Sequence, residues 1–308
     1  MQLQDITNAL SQHMPPILRW AGGMAQQLRR FDIAVAGQKT SGDATTDALT
    51  LADLSVQELL VSALRDCDPI FRQCRLEAEE STGDLGCFAS ESKYIIALDP
   101  IDGTKRYQEG SGDGWCVTLN LRSVETVHYS LVYVPECGEN GTWVEAVNNR
   151  IVCGDDDLSQ PAADVLSALP AIDPGARPDS KNIYLGGFQQ DDLSKAQLLT
   201  AGGLDGYPVD HLPGCMFELF ARGAFGGTLV RTPNVYDFPV TLHMARILGG
   251  DALWVHNEEP VNFQNLWVDD RVDMVRLPGI IACSANRETL AMLCKLAKDW
   301  DPARYHDG

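Results

Sequence analysis

Residues 94–104 read Tyr-Ile-Ile-Ala-Leu-Asp-Pro-Ile-Asp-Gly-Thr, an aliphatic run that leads straight into two acids, a proline, a glycine and a hydroxyl. The run predicts a buried strand that ends by presenting carboxylates at the edge of a sheet. Asp99 and Asp102 repel one another if both are ionised and close, so the turn needs a cation or a shared proton. A divalent metal is the simpler solution. Gly103 would let the backbone come close to a ligand, and a helix starting there would aim N–H groups at a phosphate. Asp-Pro and Asp-Gly are also ordinary turn pairs, so the meaning of this stretch depends on the company it keeps.

The chain has 308 residues, enough for one large domain or two moderate ones. No apolar run is long enough for a membrane span, and the first residues lack the basic-then-apolar layout of a signal peptide, so the expected location is the cytoplasm. The formal charge of −19 argues against nucleic acid polymers and anionic membranes as partners, since both need a basic footprint. Nine cysteines without a Cys-x-x-Cys pair suggest reduced thiols rather than zinc ligands or a disulfide framework.

Taken in order, a packing helix is expected from Pro15-Pro16 onward, with Ile17, Trp20, Ala21, Met24 and Leu28 on its apolar face. Residues 38–46 read as an exposed loop, and a second helix follows Asp47 with Thr50 and Asp53 at its mouth, a weak capping box. Glu77, Glu79 and Glu80 place three carboxylates in four residues just upstream of the acid-tipped strand. Residues 109–114 resemble a glycine-rich nucleotide loop only weakly, because they precede a strand pattern and not a helix. Strands at 115–121, 127–134 and 143–147 make an antiparallel meander, and the Asp/Ala/Pro/Ser-rich segment 154–180 reads as a junction between units at 1–178 and 179–308. Beyond it, strands at 182–185, 227–230 and 280–283 alternate with helices at 214–222, 236–247 and 287–300.

Four groups, Asp47 to Asp53, Glu79-Glu80-Ser81, Asp99-Pro100-Ile101-Asp102-Gly103-Thr104 and Tyr236-Asp237, stand in an order and spacing that resemble the inositol monophosphatase family of magnesium-dependent phosphatases. The resemblance implies a mixed α+β, α/β fold, a layered αβαβα sandwich with an antiparallel meander sheet first and a mixed sheet with helices second. It implies two to three Mg²⁺ ions: Glu79, Asp99 and the Ile101 carbonyl at one, Asp99, Asp102 and Asp237 at another. Hard oxygen donors of this kind suit Mg²⁺. Glu79, Thr104 and Asp53 become the catalytic set, with a water near Glu79 oriented through Thr104 and Asp53. Asp102, Gly103, Thr104, Gly214 and Cys215 become substrate contacts. The substrate is then a small phosphorylated metabolite, and a homodimer is an expectation carried from the family.

Other schemes fit less well. Haloacid dehalogenase phosphatases place one residue fewer between their acids and leave Glu79 without a role. In an EF-hand counted from Asp99, Gly110 falls where the bidentate Glu belongs. A metal-binding regulatory protein without catalysis would have no use for Thr104 and Asp53. The sequence departs from the family at several places, of which the missing acid before Asp237 and the missing turn near 148–152 sit on the leaving-group side. Tyr236 replaces the usual Trp, Lys105-Arg106-Tyr107 replaces x-Asn-Phe, the Gly-x-Gly-Ala turn is missing near 148–152, and Met216 is bulkier than usual. No acid lies between Gly226 and Asp237 to accept hydrogen bonds from an inositol ring. A sugar phosphate, histidinol phosphate or 3′-phosphoadenosine compound therefore stands beside inositol phosphate as a candidate substrate.

Overall fold

A computed structural model of the chain describes residues 2–31, 49–110 and 112–305; the expected loop at 38–46, Asp47 and Ser111 lie outside the described residues. Two helices, α1 (Leu3–Arg29) and α2 (Leu51–Cys67), pack on each other and on one face of a six-stranded sheet. The sheet runs β1 (Arg75–Ala78), β2 (Ile95–Asp102), β3 (Cys116–Arg122), β4 (Val127–Val134), β5 (Thr142–Val147) and β6 (Arg150–Asp155) in sequential order. β1 is parallel to β2, and every later pairing is antiparallel, as short connections require. A short helix α3 (Thr104–Glu109) follows β2, and α4 (Ala162–Ala168) lies inside the segment expected to be a junction, packed against α1.

The second sheet has the order β10-β13-β9-β7-β8, built from β7 (Asn182–Gly186), β8 (Asp205–Pro208), β9 (Gly227–Arg231), β10 (Asp251–Trp254) and β13 (Ile280–Ser284). β7 is parallel to both β8 and β9, while β13 runs antiparallel to β9 and β10, so the sheet is mixed. A small hairpin pairs β11 (Trp267–Asp269) with β12 (Met274–Arg276). Helices α6 (Met216–Arg222) and α7 (Phe238–Ile247) contact strands of the first sheet, and α7 also contacts β10 and β13 of the second. Helices α5 (Asp192–Ala201) and α8 (Arg287–Ala297) cover the outer face of the second sheet. The layering is αβαβα. Because both faces of the first sheet are covered, β3 is buried at every position, where a one-sided sheet would alternate.

Helix α1 differs from its sequence-based expectation. It begins at Leu3 and carries Pro15 and Pro16 in its interior. The reason is a stripe the prolines do not interrupt: Ile6, Leu10, Met14, Leu18, Ala21 and Ala25 are all fully buried, and their burial outweighs the hydrogen bonds two prolines forgo. Trp20, expected on the packing face, is 63% exposed. Strands β1, β6, β8, β10, β11 and β12 and helices α4 and α5 were not expected; most are short pieces with too few residues to show a period.

Candidate metal and phosphate site

The acid-tipped strand solves a parity problem. Asp102 stands three positions after Asp99, a step that in a regular strand would send their side chains to opposite faces. Here Asp99 pairs with Thr118 and Asp102 with Cys116, so a three-residue step on β2 opposes a two-residue step on β3. The bulge contributes the extra residue and turns both carboxylates the same way. Pro100, which has no N–H to give a ladder, occupies the irregular stretch. Asp99 Oδ1 also accepts the Ile101 N–H at 3.0 Å, which holds the turn.

Asp237 comes to this point from the other half of the molecule, as the residue that caps α7. Asn234 fixes it: its Oδ1 accepts the N–H groups of Tyr236 and Asp237, and its Nδ2 donates to Asp237 Oδ2 at 2.8 Å. Carboxylate oxygens of Asp99, Asp102 and Asp237 then lie within 4.8 Å of one another. Glu79 follows β1, its N–H donating to the Leu98 carbonyl at 3.2 Å, and its side chain hydrogen-bonds Asp99. The turn that carries Glu79 is held from α2, where Gln57 Oε1 accepts the Glu80 N–H and Gln57 Nε2 donates to the Glu80 carbonyl.

This crowding is costly without a cation. Burial first, then the charges of Glu79, Asp102 and Asp237, push Asp99 well above the usual carboxylate range. Asp237 is raised in the same way by burial and by Asp102, and Asp102 is pushed up to about 6 by burial and by Glu79. Carboxylates so arranged either retain protons or share a cation. The donors are hard oxygens converging from several elements, with the Ile101 carbonyl beside them, and they fit Mg²⁺.

Thr104 and Asp53 form a second unit next to the acids. Thr104 Oγ1 lies 3.0 Å from Asp53 Oδ1 and 2.9 Å from the Ile101 carbonyl, with one proton for the two acceptors. Asp53 Oδ2 accepts the Thr50 N–H at 2.7 Å, and Thr50 Oγ1 accepts from Ala52 and Asp53 N–H, completing the capping box of α2. Capping and contact with Thr104 are therefore served by different oxygens of one carboxylate. Burial raises Asp53 to about 6, against the lowering effect of its Thr50 and Thr104 bonds.

Gly103 has a different reason for being glycine than the one expected. Its φ is +86°, and a Cβ there would stand 2.6 Å from the Gly114 carbonyl oxygen, so the neighbouring backbone excludes a side chain. Gly103 and Thr104 nevertheless line a cleft of about 340 Å³ whose floor is the acid cluster. Gly214 lines it too, while Cys215 is buried behind the wall with its thiol toward Cys116, which in turn donates to Asp102. Arg106 is buried in the cleft lining and donates to the carbonyls of Val209 and Leu212 at 2.7 Å each. Lys105 pairs with Asp210 at 2.7 Å across the cleft. Asn234 and Gln57 carried no sequence signal, because one makes an ordinary Asx turn and the other acts on backbone groups distant in the chain.

Residues 17–162 match the model of the Inositol monophosphatase family. Over that stretch, just under half of its length, the chain is similar to that family. No curated protein sequence gives a match. Similar solved structures include the extragenic suppressor protein suhB of Bartonella henselae (16% identity, TM-score 0.63, 96% of this chain and 100% of that one). They also include an inositol monophosphatase/NADP phosphatase complexed with NADP and Ca²⁺ (16%, 0.64, 97% of each chain). A third is CysQ of Bacteroides thetaiotaomicron, a bacterial member of the inositol monophosphatase family (16%, 0.62, 93% and 100%). At such identities the likeness concerns the fold. The inositol monophosphatase family match ends before β7, so Asp237 and the rest of the second wall fall outside it. No helix among the described residues is long and apolar enough to cross a membrane.

Proposed function

We propose that the chain is a Mg²⁺-dependent phosphatase that hydrolyses a small phosphate monoester by direct attack of water. The observation that carries this reading is the convergence of Asp99, Asp102 and Asp237, from separate halves of the chain, beside the Thr104–Asp53 pair. Glu79, Asp99, Asp102, Asp237 and the Ile101 carbonyl would hold the metal. When bound, Mg²⁺ offsets the charge of the crowded acids and stabilises the charge that develops on the phosphoryl and leaving oxygens. Thr104 positions the attacking water, its own proton directed to Asp53 Oδ1 or the Ile101 carbonyl. Asp53 is held by its Thr50 bonds so that one oxygen always faces Thr104. Gly103 and Thr104 offer N–H groups at the cleft floor, where the phosphate would rest.

A neutral polyol is the weaker choice of substrate. The wall between Gly226 and Asp237 presents Thr228, Arg231 and Thr232 where an inositol-binding acid would be needed. One structural relative is bound to NADP, which supports phosphorylated compounds larger than an inositol phosphate.

The test is release of inorganic phosphate from a panel of inositol phosphates, sugar phosphates, histidinol phosphate and a 3′-phosphoadenosine nucleotide, with EDTA and with Mg²⁺. We expect turnover that vanishes in EDTA and returns with Mg²⁺. Binding of Mg²⁺ by calorimetry without turnover of any panel member would instead establish a regulatory metal-binding protein.

A further inference from the structure

The lining of the cleft contains hydrogen-bond donors that find no partner among the described residues. Arg231, the last residue of β9, is 2% exposed yet lines the cleft. Its Nε donates to the Gly187 carbonyl at 2.9 Å, and among the described residues its two terminal nitrogens make no hydrogen bond. The guanidinium stacks over the Phe188 ring at 5.2 Å, which fixes its plane. Its neighbours Arg276 and Arg304 are both committed to Asp269, at 2.9 and 3.8 Å, so that buried acid is taken. Asp191, Asp192 and Asp301 act on Arg231 through space, and among the described residues none forms an ion pair with it.

A buried guanidinium without a carboxylate is expensive, because desolvation is not repaid by Coulombic attraction or hydrogen bonds. Arginine's planar fork matches a carboxylate or a phosphate with two parallel bonds. Two hydroxyls on the same wall are also uncommitted. Thr228 Oγ1 is buried without a hydrogen-bond partner, and Tyr184, its partner in the β7–β9 register, donates to nothing among the described residues. A neutral polyol satisfies the hydroxyls and leaves Arg231 uncompensated.

We propose that the alcohol part of the substrate carries a second anionic group, a carboxylate or a second phosphate, which docks on Arg231. This rests on the phosphatase reading of the same cleft and names the substrate class for it: phosphate monoesters of anionic alcohols. Asp102, Asp237 and Arg231 all line the cleft, so its acids and its guanidinium would take opposite roles, the acids holding the reacting phosphate through metal and Arg231 the spectator anion directly.

The experiment compares matched substrates on the Mg²⁺-loaded protein. Glucose 1-phosphate is set against glucose 1,6-bisphosphate, and glycerol 2-phosphate against 2-phosphoglycerate; the first pair adds a phosphate and the second a carboxylate. We expect kcat/KM at least about tenfold higher for one or both anionic members, carried mainly by KM, and a ratio falling toward one in Arg231→Met, with Arg231→Lys between. Ratios near one in the native protein, or unaltered in Arg231→Met, overturn the second-anion site while leaving the phosphatase reading intact. If no monoester is hydrolysed, the phosphatase reading fails, and calorimetric binding of the same four compounds decides separately. Tighter binding of an anionic member that is lost in Arg231→Met supports the site, and equal binding overturns it.

Discussion

The two walls of the cleft fail to balance their charges in opposite ways. On the first wall, β2 and the turn after β1 press acids together until burial and repulsion lift their protonation far from the ordinary range. On the second, β9 and β7 hold a buried guanidinium whose terminal nitrogens make no hydrogen bond among the described residues, and hydroxyls equally uncommitted there. Each imbalance is costly in the free protein, and each points to what would relieve it: cations on one side and an anion on the other. The first wall also fixes its side chains more rigidly, since Asp99, Asp53 and Asp237 each accept a bond from backbone or side chain within three residues. Reaction chemistry tolerates little displacement, and recognition of a flexible alcohol tolerates more.

The comparison is tested most severely at Asp99. Asp99→Asn should lower phosphate release by at least about 10³-fold, because it removes a charge at the centre of the cluster. The same change should raise the stability of the metal-free protein, by on the order of 1 kcal/mol, since repulsion is relieved while the bond from Ile101 N–H is retained. Thermal melts with EDTA and with Mg²⁺ check this: the variant should melt higher than wild type in EDTA and gain less from Mg²⁺. A variant less stable in EDTA would break the claim that the first wall is strained by its own charges.

A smaller effect is expected from Gly103→Ala. The left-handed φ and the approach of the Gly114 oxygen together should cost about 3 kcal/mol in denaturant unfolding, with loss of turnover as the β2 turn shifts. Gly110→Ala is the control, since its φ is also positive but a Cβ there meets nothing within 4 Å. Equal costs at the two positions would show that the first wall does not depend on that close approach.

The smallest effect concerns the seam between the walls, where His243 of α7 shares a 3.0 Å hydrogen bond with Ser130 of β4. Burial, then the charges of His128 and Arg246, push His243 down to about 3. The folded state thus keeps it neutral while the unfolded chain takes up a proton below about 6.5. Stability from this group is full above that value and is lost as the pH falls toward about 3. Between pH ~7 and ~5 the loss should be about 2 kcal/mol, and His243→Gln should abolish that part of the slope in urea titrations at the two pH values.

What was legible in the sequence follows from how local each signal is. Asp99, Asp102, Gly103 and Thr104 sit within one turn, and their chemistry shows in their order. Asp53 was legible as a cap, which the structure shows, and its other oxygen faces Thr104. The bulge that makes Asp99 and Asp102 neighbours was not legible, since it exists only in the register between β2 and β3. Arg231 gave no signal either: an arginine ending a strand normally reaches solvent, and only the closure of the second sheet under Arg304 and Phe188 buries it. The true start of helix α1 is hard to read because two adjacent prolines mark a start more loudly than an apolar stripe crossing them marks continuity.

Strand β3 contributes no acid, yet it serves as a ruler for both halves. Thr118 stands opposite Asp99, and two residues on, on the same face, Asn120 donates to the carbonyl of Tyr236 at 2.8 Å, one residue before Asp237. Acids that reach the cleft from chain positions more than a hundred residues apart are thereby indexed to a single strand. Tolerance in their spacing is set at Asn120, and substitutions in this unremarkable segment should disturb metal binding without touching any ligand.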